Sequence, residues 1–471
     1  MSPDVAETTS ERTDAPPTPP EFHGPAERRA RGKALRDAVP RSAHGEWKRP
    51  KDRRDPIDVL VQSNVGRQAQ LVPIRFGRMM QSPFAFYRGS AAVMAADLAS
   101  TPVSGIHVQI CGDAHLSNFG GFATPERRVI FDINDFDETL PGPWEWDIKR
   151  LTTSFVLAGR HIRLSEADTV RAVRAASQSY RERMADYAQM RALDVWYDAI
   201  DVDRFLKEVD SEETRERVQE RLKRTREKNT PEFLFPKFVE HKGSTPTIAD
   251  DPPLIFHPTA DVAPGIESGY REGFASYRAS LSEHVRTLFD RYQFCDLAMK
   301  VVGVGSVGTQ CAVALFMASD DDPVFLQVKE ANASVLEPYV GRSRHANHGE
   351  RVVVGQRLMQ SASDLFLGWG KGANRRDYYV RQLRDMKMSA VIEDFSAADM
   401  RAYGRVCGWA LARAHARSGD AAMVAGYMGS SEVFDDALCD FAVEYADQTE
   451  RDYKAFVKAV RDGRIEAIVG S

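Results

Sequence analysis

Between Cys111 and Glu138 the chain places two acidic patches directly behind short apolar runs, CGDAHLSNFGG and VIFDINDFDE. Asp113, Asn118, Asp132, Asp135 and Asp137 therefore share one short stretch. Carboxylates set among apolar residues are costly to bury unless cations and hydrogen bonds partner them, so a fold that accepts this segment must bring positive charge to it. Asp113 and Asn118 lie five residues apart in a segment too interrupted by glycine for a regular helix or strand, which lets both turn inward from one loop. The strand-like VIF then delivers Asp132 and Asp135, with Asp137 next but one. A carboxylate and an amide oxygen are hard ligands suited to Mg²⁺ or Mn²⁺, and a further carboxylate can orient an attacking hydroxyl. Turn capping is the ordinary use of Asp and Asn, but it accounts for pairs of these residues better than for all five. His115 reads as a hydrogen-bonded structural histidine, because neither HxH nor HExxH accompanies it.

Composition narrows the setting. A chain of 471 residues with 43% apolar side chains can bury a large core or several smaller ones. A formal charge of −5 gives no strong pull toward nucleic acid or an anionic membrane, so any polyanion is expected at a local site. No apolar run approaches the roughly 18 residues of a membrane span. The N-terminus is acidic and rich in Pro and Thr, unlike a secretion signal. The five cysteines are widely spaced and lack a CxxC, which points to a reducing cytoplasm.

Texture divides the chain into four expected parts: a flexible or loosely docked arm over 1–50, a helical lobe over 51–290 carrying the acidic loops, a β-rich lobe over 291–392, and closing helices over 393–471. The arm is Arg/Lys-rich over 24–55, read as solvated charge. Apolar residues recur at helical intervals from Pro56 to Ala99, with an interruption at SPFAFYRGSA. SEAD, with Ser165 and Asp168, matches a capping box opening a long helix. The charged 203–229 segment reads as an exposed, ion-paired helix and the 241–270 segment as a loop or boundary. AMKVVGVG, QCAVALFMA and PVFLQVKEA then form a three-strand antiparallel meander divided by a glycine turn and by SDDDP.

The turn GVGSVGT carries a GxGxxG spacing at Gly303, Gly305 and Gly308, a weak signal by itself. A dinucleotide fold needs those glycines to open a helix; here a β-rich run follows and a second strand ends in Lys329. In a β-hairpin of that kind the glycine turn covers phosphates while the lysine reaches them from the adjoining strand. The ordinary alternative for Lys329 is an edge-strand lysine. A phosphate-gripping lysine needs a carboxylate brace, for which Glu337 and Glu350 are the two candidates, Glu330 pointing to the opposite strand face. DYYVRQLRDMK supplies a strand whose backbone near Gln382 and Leu383 is placed for an adenine, with Arg381, Arg384 and Lys387 facing phosphate, substrate or solvent.

These residues resemble the protein-kinase-like superfamily, particularly aminoglycoside and small-molecule phosphotransferases. CGDAHLSN resembles their HGDxHxxN catalytic loop, with Cys111 where histidine is usual. The resemblance gives Asp113 the catalytic-base position and Asn118 a metal position. NDFDE resembles the following metal-binding element and makes Asp135 the main ligand, with Asp132 or Asp137 as second candidates. WEWDIKRL resembles the segment in which Asp147 braces the loop. The chain is still more similar to the bacterial family of unknown function DUF2252, through SPFAFYRGSA, CGDAHLSNFG, QVKEA, GQRLMQSASDLFLGW, YYVRQLRDMK and LARAHARSGD, covering about residues 40–465.

Kinases place glycine loop, lysine and hinge before the catalytic loop, whereas here they begin only near residue 296, and LARAHA at 411–416 resembles the helix that ordinarily leads into that loop. The expected fold is therefore α+β, a two-lobed protein-kinase-like fold that is circularly permuted, with a mainly helical lobe and an antiparallel sheet lobe. The resemblance implies an ATP- and Mg²⁺-dependent phosphotransferase. Its acceptor is a hydroxyl of a small molecule or protein, with neither nucleic acid nor membrane as partner and the oligomeric state open. Lys329 and Asp113 are its catalytic residues. A nucleotidyl transferase, a catalytically weak nucleotide-binding scaffold and a metal hydrolase are the competing readings.

Overall fold

The computed structural model describes residues 23–228, 235, 238–242, 245–252, 254–257, 266–301, 303–305, 307–383 and 386–468. Short helices lead into the acidic segment. Ser82 accepts from the Ala85 N–H at 3.0 Å and Pro83 fills the first turn, so Pro83–Gly89 is a helix. The expected interruption at SPFAFYRGSA is thus a capped helix between two others, Val72–Met79 and Ala91–Leu98. The described part of the N-terminal arm is docked: the Pro25–Ala34 helix leads to Arg36 and Arg41, whose guanidiniums donate to the carbonyls of Gly426, Tyr427 and Met428 at 2.6–2.7 Å. These are orphan carbonyls at a helix C-terminus, the place where cations are favoured. Arg53 is buried between Asp97 at 2.7 Å and Asp452 at 2.5 Å, so its charge is not solvated as the composition of 24–55 suggested.

The acidic segment supplies β1 (His107–Ile110), β2 (Phe119–Ala123), β3 (Val129–Ile133) and β4 (Leu140–Pro143), with β1 paired to β4 and β2 to β3. The glycines after Asn118 were expected to prevent regular structure, yet Phe119–Ala123 is a strand. Gly120 is accommodated because a side chain there would meet the Met388 carbonyl at 2.5 Å. The helix Trp144–His161 follows, buried along almost its whole length, and then Glu166–Tyr187, capped by Ser165 as its sequence indicates. Ile200–Asp201 (β5) extends the β2–β3 ribbon, and the charged segment expected as one helix over 203–229 is two, Val202–Lys207 and Glu212–Lys228, the second carrying the Arg215–Glu212 pair at 2.9 Å.

The 241–270 segment holds more structure than a loop: β6 (Val239–Lys242) and β7 (Thr245–Ile248) form a hairpin, and β8 (Ile255–Phe256) joins the main sheet. After the helices Ile266–Ser280 and Glu283–Phe289 come β9 (Gln293–Lys300), β10 (Cys311–Ser319) and β11 (Asp322–Ala331), a meander as expected except that its first strand begins earlier and takes in only Ala298–Lys300 of AMKVVGVG. With β12 (Gly368–Lys371) and β13 (Asp377–Gln382) they complete a six-stranded antiparallel sheet in the order β12-β13-β11-β10-β9-β8. Alternate residues of β10 enter two different cores. Ala312, Ala314 and Phe316 pack with Tyr277, Leu281 and Phe289 of the covering helices, whereas Val313, Leu315 and Met317 pack with Ile248 and Ile255. Burial on both faces explains the near-continuous apolar run QCAVALFMA. Met388–Ser389 (β14) pairs with β2 and links the two regions of β structure.

The helix His348–Met359 packs under the sheet, and Ala397–Ser418 lies along Glu166–Tyr187 in the largest core. Close approach of those two helices depends on small residues one turn apart: a side-chain carbon on Gly404 would stand 2.7 Å from the Ala172 carbonyl, and one on Gly408 2.1 Å from that of Ala176. The chain closes with Val433–Arg461. It is a mixed α+β protein with helical and sheet regions, and none of its described helices is long and apolar enough to cross a membrane. Gly408→Ala should cost about 1–3 kcal/mol by overpacking this contact, read as a lower urea midpoint; an unchanged midpoint would show that the helices do not depend on that approach.

Candidate functional site

Strand parity decides which way Lys329 points. Leu326 and Val328 of β11 pack under the covering helices, so Gln327 and Lys329 face the other way. On β13, register opposes Lys329 to Tyr379 and Gln327 to Arg381, which puts all four on one face. That face meets the NDFDE element. Lys329, only 2% exposed, donates to Asp137 at 2.7 Å and Asp135 at 3.3 Å, and its ammonium stands 5.2 Å from the centre of the Tyr379 ring. Burial opposes the ammonium, but Asp135 and Asp137 hold it well above its ordinary range, so it stays charged. Tyr379 donates to the second oxygen of Asp137 at 2.6 Å, and Arg381 donates to the Asn134 carbonyl at 2.9 Å.

The catalytic-loop candidate is held with equal firmness. Gly112 adopts φ +79°, in a space where a side-chain carbon would stand 2.7 Å from the Glu138 carbonyl. Asp147 accepts from the N–H groups of Cys111 at 2.6 Å and Gly112 at 2.8 Å, and receives His415 at 3.2 Å. Asp113 is gripped on Oδ1 by Arg150, whose Nε lies at 2.5 Å, and its Oδ2 is 3.9 Å from His115 Nε2. Burial raises the Asp113 carboxyl, with Arg150 acting against that. The Cys111 thiol donates to the Asp135 carbonyl at 3.2 Å, and burial pushes it well above its ordinary value. Cys111 is therefore a packed link between the two acidic elements and no nucleophile. His115 is buried and held neutral by burial, with its backbone N–H on the Asp113 carbonyl at 2.8 Å.

The expected residues separate into those the fold gathers and those it uses elsewhere. Asn118 and Asp135 both line two adjoining cavities. The Asn118 amide donates to the Asp113 carbonyl at 2.6 Å, and its Oδ1 accepts from no described residue. Asp135 leaves Oδ2 similarly unengaged. Asp132 is corrected from candidate ligand to structural anchor: it is fully buried, with Arg413 at 2.6 Å from both carboxylate oxygens and the Ser361 N–H and hydroxyl each at 2.9 Å. Asp137 is taken up by Lys329 and Tyr379. Neither Glu337 nor Glu350 braces Lys329: Glu337 lies 3.8 Å from His348 and Glu350 3.4 Å from His345. Glu350 sits in the first turn of His348–Met359, capped by Asn347, whereas Gln356 farther along that helix lines the cleft with Lys329. Glu330 lies outside the first cavity but lines the second, paired with Arg376 at 2.5 Å.

The glycine turn stands between β9 and β10. Gly303 and Gly308 have φ +67° and +92°; Gly303 lines both cavities and Gly305 one of them. Gly308 packs instead on the helical side, its carbonyl accepting from the Gln68 N–H at 2.7 Å. Gln382 and Leu383 line the first cavity, with the Gln382 N–H on Asp364 at 3.2 Å and the Leu383 N–H on the Phe325 carbonyl at 2.9 Å. Lys387 lines the same cavity; Arg384 lies outside the described residues.

The first cavity, about 480 Å³, runs from Gln382 and Leu383 past Lys329 to Asn118 and Asp135. The second, about 420 Å³, continues from Asn118 and Asp135 to Asp113, His115 and the residues of 62–92. Among the described residues no group of three His, Cys, Asp or Glu side chains could hold a metal. Asn118 Oδ1 and Asp135 Oδ2 are hard oxygen donors of the kind Mg²⁺ takes, and no described residue donates to either. Arg150, Tyr379, Gln356 and Arg88 were not picked out as site residues from sequence. Arg150 had a signal, standing three residues after Asp147 on a helix and hence near the same face; the others depend on strand register and tertiary packing.

The family described as "Uncharacterized protein conserved in bacteria (DUF2252)" matches residues 67–459. No curated protein and no solved structure matches the chain.

Burial alone would raise the Asp137 carboxyl; Lys329 and Tyr379 outweigh it and lower the group to about 2. An unfolded Asp titrates near ~3.9, so the stabilisation from this carboxylate is complete above that pH and fades as pH falls toward the folded value. Urea midpoints measured between about pH 5 and pH 2.5 should fall less steeply for Asp137→Asn than for wild type; equal slopes would contradict the pairing.

Proposed function

Because the chain belongs to the DUF2252 family, whose description assigns no activity, its function is read from the cleft, and we propose that it is an ATP- and Mg²⁺-dependent phosphotransferase with a circularly permuted kinase-like fold. One observation carries the reading. Lys329, behind a glycine turn on an antiparallel sheet, lies 3.3 Å from Asp135 of the acidic element, from which it is 194 residues distant in the chain. The permutation is supported at the other junction too. Ser418, at the end of the helix containing LARAHA, accepts from the Gln109 N–H at the start of the catalytic segment at 3.1 Å. Arg413 and His415 of that helix hold Asp132 and Asp147.

In this reading the first cavity takes the nucleotide, its adenine end toward Gln382 and Leu383 and its phosphates toward Gly303 and Lys329. Asn118 and Asp135 would hold Mg²⁺, which when bound offsets the charge of the phosphate oxygens. Lys329 contributes a fixed positive charge, and positioning and electrostatics supply most of the acceleration of phosphoryl transfer. Asp113, with one oxygen fixed by Arg150 and the carboxylate bordering the second cavity, orients an acceptor hydroxyl and takes its proton. Its raised proton affinity suits a base better than an ordinary surface carboxylate.

The purified chain should convert Mg-ATP slowly to ADP with water as acceptor. Asp113→Asn should lower that rate by a factor on the order of 10²–10⁴ while nucleotide affinity stays within about threefold. Lys329→Met should impair turnover through misaligned phosphates. An unchanged Asp113→Asn rate would remove the base role, and release of pyrophosphate with AMP attached to the product would indicate nucleotidyl transfer.

A further inference from the structure

The second cavity carries a charge pattern that phosphoryl transfer to a neutral acceptor does not require. The acids around it are largely engaged: Asp113 by Arg150, Asp135 and Asp137 by Lys329, Glu330 by Arg376. Glu138 accepts from the Val335 N–H at 2.7 Å. On the wall built from residues 62–92 stand three arginines, Arg67, Arg75 and Arg88, none of which forms an ion pair among the described residues. Arg67 donates to the carbonyls of Val307 at 2.6 Å and Ser63 at 3.3 Å. Arg75, 3% exposed, donates to Asn64 Oδ1 at 2.7 Å and the Gly89 carbonyl at 2.6 Å, while its Nε is buried with no partner. Arg88 makes no hydrogen bond to a described residue; its Nε is also buried and unpartnered, and its guanidinium lies 5.9 Å from the Phe84 ring centre.

Guanidiniums buried with only neutral acceptors are costly, and the neighbouring charges of Arg67 and Arg75 add to that cost. Glu138 lies near both but pairs with neither. Arg88 stands where the two cavities meet, beside Asn118 and Asp135, and its charge reaches Asp113. Asp137 and Glu330 also act on Arg67, and Asp113 and Glu393 on Arg88, but no described carboxylate contacts any of the three guanidiniums, whose planar fork suits a dianionic phosphate.

We propose that the second cavity is the acceptor site and that it selects a hydroxyl compound already bearing a phosphate group, held by Arg67, Arg75 and Arg88 with its hydroxyl at Asp113. The inference rests on the phosphotransferase reading and deepens it. In the transfer, the acceptor hydroxyl oxygen bonds the γ-phosphorus, the bond from that phosphorus to the β–γ bridging oxygen breaks, ADP leaves, and the hydroxyl proton passes to Asp113. A doubly phosphorylated product follows.

Inorganic phosphate titrated into the full chain saturated with Mg-AMPPNP, followed by calorimetry, tests this. Saturable binding that Arg88→Gln weakens about tenfold or more, and that Arg88→Lys partly restores, is expected. Arg75→Gln gives a second reading wherever its melting curve stays cooperative. AMPPNP binding without phosphate binding, phosphate binding indifferent to Arg88→Gln, or competition between phosphate and AMPPNP would overturn the inference and leave the phosphotransferase reading standing. Failure of AMPPNP itself to bind would overturn that reading and this one with it.

Discussion

The buried ammonium of Lys329 joins parts of the chain that are distant in sequence, and the site depends on that junction. Its stem belongs to β11, and its charge lies against Asp135 and Asp137 of the loop after β3. Lys329 is 2% exposed whereas Asp135 and Asp137 are each 31% exposed, so without the carboxylates the fold would bury a lone ammonium. Stranding a buried charge typically costs about 3–5 kcal/mol, so the ammonium of Lys329 requires these carboxylates in place. Tyr379 and Arg381, on the neighbouring strand at the matching register, keep the pair aligned.

A second set of buried charges sets the acidic loops against the helices. Arg413 clasps Asp132, and His415 reaches Asp147, which in turn receives the backbone of Cys111 and Gly112. Tyr180 extends this chain into the Glu166–Tyr187 helix through its contact with His415 at 2.8 Å. Such networks are expensive when half satisfied and rigid when complete. Arg413 keeps Nε and Nη1 buried without a partner, so this network is not fully satisfied; on the cleft side Asn118 Oδ1 and Asp135 Oδ2 accept from no described residue.

Much of this was legible in the sequence because it rested on local rules. The meander of β9, β10 and β11 followed from apolar runs separated by a glycine turn and an acidic turn, and the strand parity that separates Lys329 from Glu330 is a period-two statement. The helix opened by Ser165 followed from its cap. What the sequence did not reveal was which partner each charge would find. Asp132 and Asp135 share a segment and a chemistry, and only tertiary contact assigns one to Arg413 and the other to the cleft. The same holds for the brace of Lys329, sought in Glu337 or Glu350 and found in Asp137. The SPFAFYRGSA segment was read by its interruption of a periodic pattern, although Ser82 and Pro83 give it a helix start. Its Arg88 matters only once the two cavities are formed.

Under the proposed reading, Lys329 would grip phosphates, Asn118 and Asp135 would hold the metal, and Asp113 and the three arginines beyond it would receive the acceptor. In that reading the late glycine–lysine sheet and the early acidic loops enclose one nucleotide. A crystal structure with Mg-AMPPNP is the most direct test. The metal is expected on Asn118 and Asp135, the phosphates on Lys329 and the adenine beside Gln382 and Leu383; a nucleotide bound away from Lys329 and Asp135 would rule the shared cleft out.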